Sequence, residues 1–406
     1  MAEDTATTKT GWRSLPRNVW AVSLTSFFMD ISSEMVINIL PLFLVTLGVS
    51  KEIIGAIEGL ADTVASVLQV FSGWLSDLLS GRKWLAVLGY AVSALSKPFF
   101  YFANGAGSVA GARWADRVGK GIRTSPRDAL VADSISPKQR GLAFGVHRGA
   151  DTAGAMLGLM IALGLVWALQ RADLALEKRT FQIIVLVSLV PALLSVVSLA
   201  LGARDVPVTS SRKRPLLTFR GLGRPFIIFT MIVALFTLGN SSDAFLVLRA
   251  QERGLNVLGI LGMLITFNLV YSLLSAPAGA LSDRVGRRKV IVGGWLAYAV
   301  IYAGFALARK GDGWQMWVLY SLYGVYYGLA YGVAKAMVAD LVPADLRGTA
   351  YGTYNTVVGL LAFPSSFIAG MLWQYVTPWA PFAFGAALAL SAAVLMIVWK
   401  PPLKVD

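Results

Sequence analysis

The chain has 406 residues, of which 56% are hydrophobic and 14% are charged, and its mean hydropathy is +0.65. A soluble domain carries about a quarter of charged residues, so this composition argues against a soluble enzyme. The absence of cysteine excludes disulfides and thiolate metal sites. We expect the net charge of +14 to reflect basic cytoplasmic loops, with no nucleic-acid partner.

Twelve apolar stretches are long enough to cross a bilayer, so the chain is predicted to be an all-α membrane protein. They cover residues 18–47, 52–77, 83–103, 106–134, 139–168, 179–203, 225–252, 256–283, 288–308, 313–342, 347–373 and 380–400.

Charge bias orients these spans in the lipid bilayer. Loops and tails on the side of the chain termini carry 20 Lys and Arg residues, whereas the opposite loops carry 8. Because basic loops stay in the cytoplasm, both termini are expected to be cytoplasmic. The segment 204–224 contains two prolines and a basic run, and it is expected to be a central cytoplasmic linker. The predicted domains are therefore 1–203, the linker 204–224, and 225–406.

Motifs in the first half of the sequence recur in the second. Gly73–Lys83 resembles Gly279–Lys289 at an offset of 206 residues, and Val131-Ala-Asp133 recurs as Val338-Ala-Asp340 at an offset of 207. Ser32-Ser33-Glu34 likewise resembles Ser241-Ser242-Asp243. These repeats predict two parallel six-helix bundles, with a substrate site near mid-membrane between them.

With these motifs, the chain resembles the major facilitator superfamily over essentially its whole length. The family signature G-x-x-x-D-R-x-G-R-R is complete in the second copy, at Gly279, Asp283, Arg284, Gly286, Arg287 and Arg288. The first copy keeps Gly73, Asp77 and Arg82 but has Leu78 and Ser80 where Arg and Gly are usual. Arg117-Val-Gly-Lys-Gly121 fits the family's R-x-x-x-G element.

The resemblance implies a transporter with twelve helices that moves a small-molecule substrate by alternating access. It also implies that the signature locks the cytoplasmic side, and that Arg117 occupies a position often tied to coupling. A bacterial branch is indicated by Gly119–Asp128, so a multi-pass protein of the bacterial inner membrane is expected, as a monomer without a cofactor.

Charged residues inside the spans need partners or water, because a charge at mid-bilayer costs about 2.5–3.5 kcal/mol. Eight basic residues lie inside spans, seven of them in the first half. Span four carries a stripe of them on one helical face, in which Arg113 and Arg117 lie deepest and are expected to line the cavity.

Acidic residues on neighbouring spans complement this stripe. Asp30 and Glu34 on span one are four residues apart, as are Glu58 and Asp62 on span two, so each pair shares a helix face. Carboxylates at close range favour retention of one proton near neutral pH, which makes these four, with Arg117, the candidates for proton coupling. The alternative is a set of buried ion pairs that hold the first bundle together.

Arg148 and Asp151 on span five, three residues apart and next to the single histidine, His147, are also expected to line the cavity and to pair with each other. In the second half, span ten presents Tyr323, Tyr327, Tyr331 and Lys335 on one face, which could hold a partly apolar substrate. The alternative is helix packing. Polar partners are expected from Asn240, Asp243 and Asn355, and no metal site is predicted.

The leading interpretation is a proton-coupled exporter of small organic molecules. An alternative within transport is an anionic solute, a carboxylate or phosphorylated compound, bound by Arg113, Arg117 and Arg148. A third possibility is a receptor or partner subunit that does not transport. An enzyme is not expected, because no nucleotide-binding loop, metal-ligand cluster or hydrolase triad is readable.

Overall fold

The computed structural model describes residues 15–78, 81–135, 139–170, 173–206, 220–309, 311, 313–343 and 346–399. At residues 77, 140, 141, 276, 279, 280, 283, 331 and 332 only the backbone is described. Most of the predicted linker, residues 207–219, lies outside these ranges.

The described chain is helical from end to end. In chain order the helices are α1 (Arg17–Ile37), α2 (Leu40–Thr46), α3 (Lys51–Leu78), α4 (Lys83–Tyr101), α5 (Ala106–Asp133), α6 (Arg140–Leu169), α7 (Lys178–Gly202), α8 (Gly223–Gly239), α9 (Ala244–Glu252), α10 (Val257–Val285), α11 (Arg287–Leu307), α12 (Gly313–Tyr326), a π-helix (Tyr327–Tyr331), α13 (Gly332–Asp340), α14 (Arg347–Tyr375) and α15 (Ala380–Val398).

These helices form the twelve predicted spans. Span one consists of α1 and α2, span seven of α8 and α9, and span ten of α12, the π-helix and α13. Within the described residues, nine spans are long and apolar enough to cross a membrane on those criteria alone. The other three are α4, α5 and span ten, of which α5 carries the charged stripe and span ten is interrupted by the π-helix.

Spans one and seven are both broken, at related places in the two halves. In span one the helix ends at Ile37, because Pro41 cannot donate to the carbonyl four residues earlier and its ring crowds that carbonyl. In span seven the break falls at a polar run, where the backbone N–H of Ser242 donates to Oγ of Ser366 at 3.0 Å. Serine side chains compete with the helical hydrogen bonds in such runs. Both breaks lie beside a cavity described below.

The helices pack as two six-helix bundles. In the first, α1 packs on α6 and α7, α5 packs on α3 and α4, and α4 packs on α7. In the second, α8 packs on α14 and α15, α11 packs on α12 and α15, and α10 packs on α12. We call the face that holds the first residue of α1 and the last residue of α15 the terminal face, and the other the opposite face.

The two bundles contact each other at the opposite face. Here α2 packs on α9. The Gln251 side chain donates to the carbonyl of Leu174 at 2.8 Å, and the Lys51 backbone N–H donates to Oε1 of Gln374 at 3.4 Å. These contacts close the space between the bundles at the opposite face.

A second contact runs along α3 and α14, which we call the α3–α14 seam. A Cβ on Gly55 would lie 2.2 Å from the carbonyl oxygen of Ser366, and one on Gly359 would lie 2.2 Å from Cβ of Ser66. The hydroxyl of Thr63 donates to the carbonyl of Gly359 at 2.7 Å. The backbone of each glycine therefore lies directly against the facing helix, on a backbone carbonyl at Gly55 and on the Ser66 side chain at Gly359, and only glycine permits this approach at these two positions.

The orientation in the membrane is a prediction that single cysteines can test, because the chain has none of its own. With Ser210→Cys or Pro402→Cys, we expect an impermeant maleimide to label only from the cytoplasmic side, and with Ala175→Cys only from outside. The physical reason is the 20 to 8 bias of basic loop residues. External labelling at position 210 in sealed cells would contradict the orientation.

Candidate functional site

A cavity of about 680 Å³ lies between the bundles, and we call it the polar cavity. Its basic lining residues are Arg117, Lys120, Arg123, Arg127, Arg148 and Lys335. Its acidic lining residues are Asp30, Asp62, Asp128 and Asp151. All but Lys335 belong to the first bundle, so the ionic character predicted for that half is concentrated on one wall.

A smaller cavity of about 160 Å³ continues the polar cavity, with Asp62 and Arg117 lining both. It also contacts Glu58 and Arg113 from the first bundle, and Asp243 from the second. The breaks in spans one and seven border it. Such breaks place polar groups at mid-membrane, as in other transporters with discontinuous helices.

The deepest ionic contacts are pairs. Arg113 donates to both carboxylate oxygens of Glu58, at 3.2 and 2.6 Å, and both side chains are at most 4% exposed. Lys97 Nζ lies 3.5 Å from Asp116 and 3.4 Å from Oγ of Ser33. For Glu58 and Arg113 this geometry favours the structural alternative, because each charge is already neutralised by the other.

Asp30, on α1, has a different environment. Among the described residues, its carboxylate has no ion pair within 4.0 Å and no hydrogen bond. Glu34 and Asp151 lie close enough to repel its negative charge, while Arg123 and Lys120 are close enough to attract it. Glu34 instead accepts a hydrogen bond from the Asn38 amide at 2.6 Å. Of the two predicted carboxylates on span one, Asp30 is therefore the one that lines the polar cavity without a direct partner among the described residues.

Asp62 and Arg117 form a loose pair at 3.9 Å between the carboxylate and the guanidinium. The side chain of Asp62 is 45% exposed, against 4% for that of Glu58. The two acids predicted as a pair on α3 thus have separate partners and different access to water.

On α6 the predicted pairing of Arg148 with Asp151 is replaced by two other contacts. Arg148 donates to the hydroxyl of Tyr271 on α10 at 2.8 Å, a hydrogen bond between the two bundles. Asp151 instead lies 3.8 Å from Nε2 of His147, one turn away. The arginine is drawn to the second bundle because its long side chain reaches across the cavity, which spacing along one helix could not reveal.

The second bundle contributes aromatic groups, as predicted. Tyr323 donates to Asp243 at 2.9 Å and lies 3.5 Å from the side-chain oxygen of Asn240. Its ring also contacts Tyr327 edge to face, with ring centroids 5.2 Å apart. The side chain of Tyr331 lies outside the described part of the structure.

A cavity of about 130 Å³ lies within the second bundle, and we call it the aromatic cavity. Trp295, Tyr326 and Tyr354 line it, together with the predicted residues Asn240, Lys335 and Asn355. Trp295 was not among the predicted residues, because nothing in the sequence of α11 separates it from a packing residue.

The two signature loops each end in an ion pair between an arginine and an aspartate at the terminal face. Arg82 Nε lies 2.7 Å from Asp133, at the end of α5, and Arg287 pairs with Asp340, at the end of α13. Arg288 donates to the carbonyl of Met396 at 2.8 Å. The described part of the structure does not include the side chains of Asp77 and Asp283, nor that of Ala280, which follows Gly279.

The remaining signature residues are placed by the turn between α10 and α11. Gly286 alone joins these helices with a φ of +96°, a conformation that favours glycine, and Arg284 is exposed in the last turn of α10. Gly73 approaches Ser125 on α5, where an added Cβ would lie 3.1 Å from that of the serine. Both loops are thus built for close turns or close helix contact.

We expect Asp283→Asn to shift the balance between the two access states more than Asp77→Asn, because only the second signature copy is complete. The measurement is the rate at which maleimide labels Thr124→Cys, a position in the polar cavity, from either side of the membrane. Unchanged labelling in Asp283→Asn would argue against a gating role for this signature.

The sequence does not single out two contributors to the site. Lys120 is only one member of the basic stripe, and Tyr271 lies in a span that is otherwise apolar. Lys120 could have been found from its position, since it lies fourteen residues into a 28-residue helix and therefore near mid-membrane. Tyr271 carries no local signal in the sequence.

A family model described as Major Facilitator Superfamily matches residues 22–268 and 249–405. An uncharacterized MFS-type transporter of Methanocaldococcus jannaschii is 36% identical over 397 residues, covering 95% of each chain. The class C tetracycline resistance protein of Escherichia coli is 32% identical over 132 residues, covering 31% of each chain. A crystal structure of a POT family transporter in complex with 5-aminolevulinic acid superposes with a TM-score of 0.81 at 11% identity, covering 96% of this chain and 97% of that one.

Proposed function

Because the chain belongs to the Major Facilitator Superfamily, we propose that it is a proton-coupled secondary transporter that exports small organic molecules by alternating access. Export is the direction suggested by the relative named as a tetracycline resistance protein. The proposal also places the protein in the bacterial inner membrane, as a monomer with both termini in the cytoplasm.

One observation carries the coupling part of the proposal. Asp30 lies about 20 Å along α1 from the terminal face, at a rise of about 1.5 Å per residue, and borders the polar cavity. It has no ion pair among the described residues and faces two other acids. A carboxylate in that position can take up a proton from the cavity and release it when the access changes, because no direct ion pair holds it in the ionised form.

Rigid-body rocking of the two bundles would provide the change of access. The opposite face is closed by the contacts of α2 with α9, and the polar cavity lies between the bundles on their inner walls. Alternating access requires these contacts to open while others form at the terminal face. The glycine contacts of the α3–α14 seam allow the bundles to stay in touch during that movement.

The experiment has two stages. A deletion strain is grown on a panel of toxic compounds and of nutrients, where hypersensitivity indicates export and a growth requirement indicates uptake. The compound so identified is then tested in vesicles containing the purified protein, with an imposed pH gradient. Accumulation that follows the pH gradient and collapses with a protonophore supports the proposal, whereas transport indifferent to the gradient contradicts proton coupling.

A second candidate, an anionic solute, is favoured by the charge of the polar cavity. Six basic and four acidic side chains line it, so a net positive charge remains. A proton on Asp30 removes one negative charge and so raises anion affinity, and by linkage the bound anion favours the proton. An anion would then move in the same direction as the proton. The arginines predicted for this role contribute less than expected, because Arg113 is already neutralised by Glu58.

A further inference from the structure

Two lysines from different bundles, Lys120 on α5 and Lys335 on α13, line the same polar cavity. We propose that this cavity binds a small organic anion with an aromatic or apolar body, held by Lys120 and Lys335 at its anionic group and by the aromatic cavity at its body. The inference rests on the second candidate function, transport of an anionic solute through this cavity, and it names the class of anion.

Lys120 is the cation that the protein leaves available. Its side chain is exposed to the polar cavity, and its Nζ makes no hydrogen bond or ion pair with any side chain in the described ranges. The residue lies near mid-membrane, where a charge is costly and is placed for a purpose. Asp30 and Asp62 attract it without contacting it, so an anion entering the cavity can become its closest partner.

The other basic residues of the same helix already have partners. Arg127 Nη2 lies 2.8 Å from Asp128, and Arg117 lies 3.9 Å from Asp62. Arg123 donates to Oγ of Ser93 at 2.5 Å and lies over the ring of Tyr90. A ligand would have to compete with these contacts to reach the arginines, whereas Lys120 has no direct contact of this kind among the described residues. This difference separates the proposed site from the arginine site predicted from sequence.

Lys335 connects the polar cavity to the aromatic cavity, because its side chain lines both. The aromatic cavity presents Trp295 and Tyr354 beside the amide of Asn355. A ligand whose charge lies near Lys335 can therefore place its body against aromatic rings without leaving the cavity system. A largely apolar pocket with a few oriented polar groups is the usual form of a small-molecule site.

The π-helix immediately before α13 supports this arrangement. It adds a residue to one turn of span ten between Tyr327 and Tyr331, which rotates the following residues relative to those before it. Such turns often mark functional sites. Lys335, after this turn, lines both cavities, whereas Tyr323, before it, donates to Asp243.

The test measures binding of matched probes to the purified full-length protein in detergent by isothermal calorimetry. The probes are benzoate and 2-naphthoate, each with its uncharged amide, benzamide and 2-naphthamide. We expect at least one carboxylate to bind about tenfold or more tightly than its amide, because only the carboxylate can pair with the lysines. Equal affinity of acid and amide, or no binding of either carboxylate, would overturn the proposal.

Single substitutions test whether Lys120 and Lys335 form the binding site. Lys120→Met is expected to weaken carboxylate binding by about tenfold or more, Lys335→Met likewise, and Lys120→Arg is expected to retain most of it. Lys83→Met is the matched control, because Lys83 lies over the ring of Trp84 and does not line either cavity. If Lys120→Met binds as the wild type does, the lysine assignment is wrong.

Failure of this inference is distinguishable from failure of the proposed function. Binding in detergent involves no pH gradient, so loss of proton coupling would leave the probe affinities unchanged. Conversely, gradient-driven transport of a neutral or cationic compound with no carboxylate binding would retain the transporter and reject the anion.

Discussion

Asp30→Asn is expected to abolish accumulation driven by a pH gradient while leaving substrate exchange intact. A gradient of one pH unit supports about tenfold accumulation for each proton coupled, since tenfold corresponds to about 1.4 kcal/mol. A variant that cannot lose and regain the proton at residue 30 falls to equal concentrations on both sides. Exchange of labelled for unlabelled substrate needs no proton movement, so it continues.

Glu34→Gln is the matched control for this experiment. It removes the charge of an acid one turn away on the same helix, but Glu34 is hydrogen bonded to Asn38, and the amide can keep that contact. We expect it to retain gradient-driven transport and normal amounts of folded protein. If both variants keep full pH-driven transport, Asp30 is not the coupling residue, and Asp62 becomes the next candidate because its side chain also faces the cavity.

Arg113→Met is expected to destabilise the folded protein by about 3–5 kcal/mol, because it leaves Glu58 as a buried charge without a partner. The thermal midpoint in detergent should fall by several degrees, and the yield of folded protein should fall with it. Fluorescence-detected size exclusion after heating provides the measurement.

The double variant Glu58→Leu with Arg113→Met supplies the control. It removes both charges and fills the space with apolar groups, so we expect the thermal midpoint to return to near that of the wild type. A double variant as unstable as Arg113→Met would mean that Arg113 stabilises the protein through contacts other than Glu58. The same pair of variants separates a structural pair from a coupling residue, since Asp30→Asn should leave the midpoint nearly unchanged.

The fold could be predicted almost completely, because the bilayer imposes a simple requirement. A span needs about 20 apolar residues, and the repeat offset of about 206 residues fixes where the second bundle begins. The breaks in spans one and seven were not predicted. They depend on Pro41 and on the serine run at 241–242, which read as minor interruptions of long apolar stretches.

The site could be predicted only in its composition. Helical spacing predicts that Asp30, Arg117 and Lys335 face the interior, and each of them lines the polar cavity. Spacing along one helix cannot assign partners, because Arg113 pairs with Glu58 on another helix and Arg148 donates to Tyr271 in the other bundle. Nor could it anticipate the π-helix, whose extra residue turns the face of span ten by about 100° beyond Tyr331.

The α3–α14 seam has a consequence for how fast the protein can change state. Interlocked side chains resist sliding, because each must leave its groove before the next can enter. Gly55 and Gly359 present no side chain to the facing helix, and the hydrogen bond from Thr63 contributes only about 1 kcal/mol. We therefore expect the two helices to slide past each other at low energetic cost at these positions, so that the contacts of the opposite face set more of the activation barrier for the exchange of access.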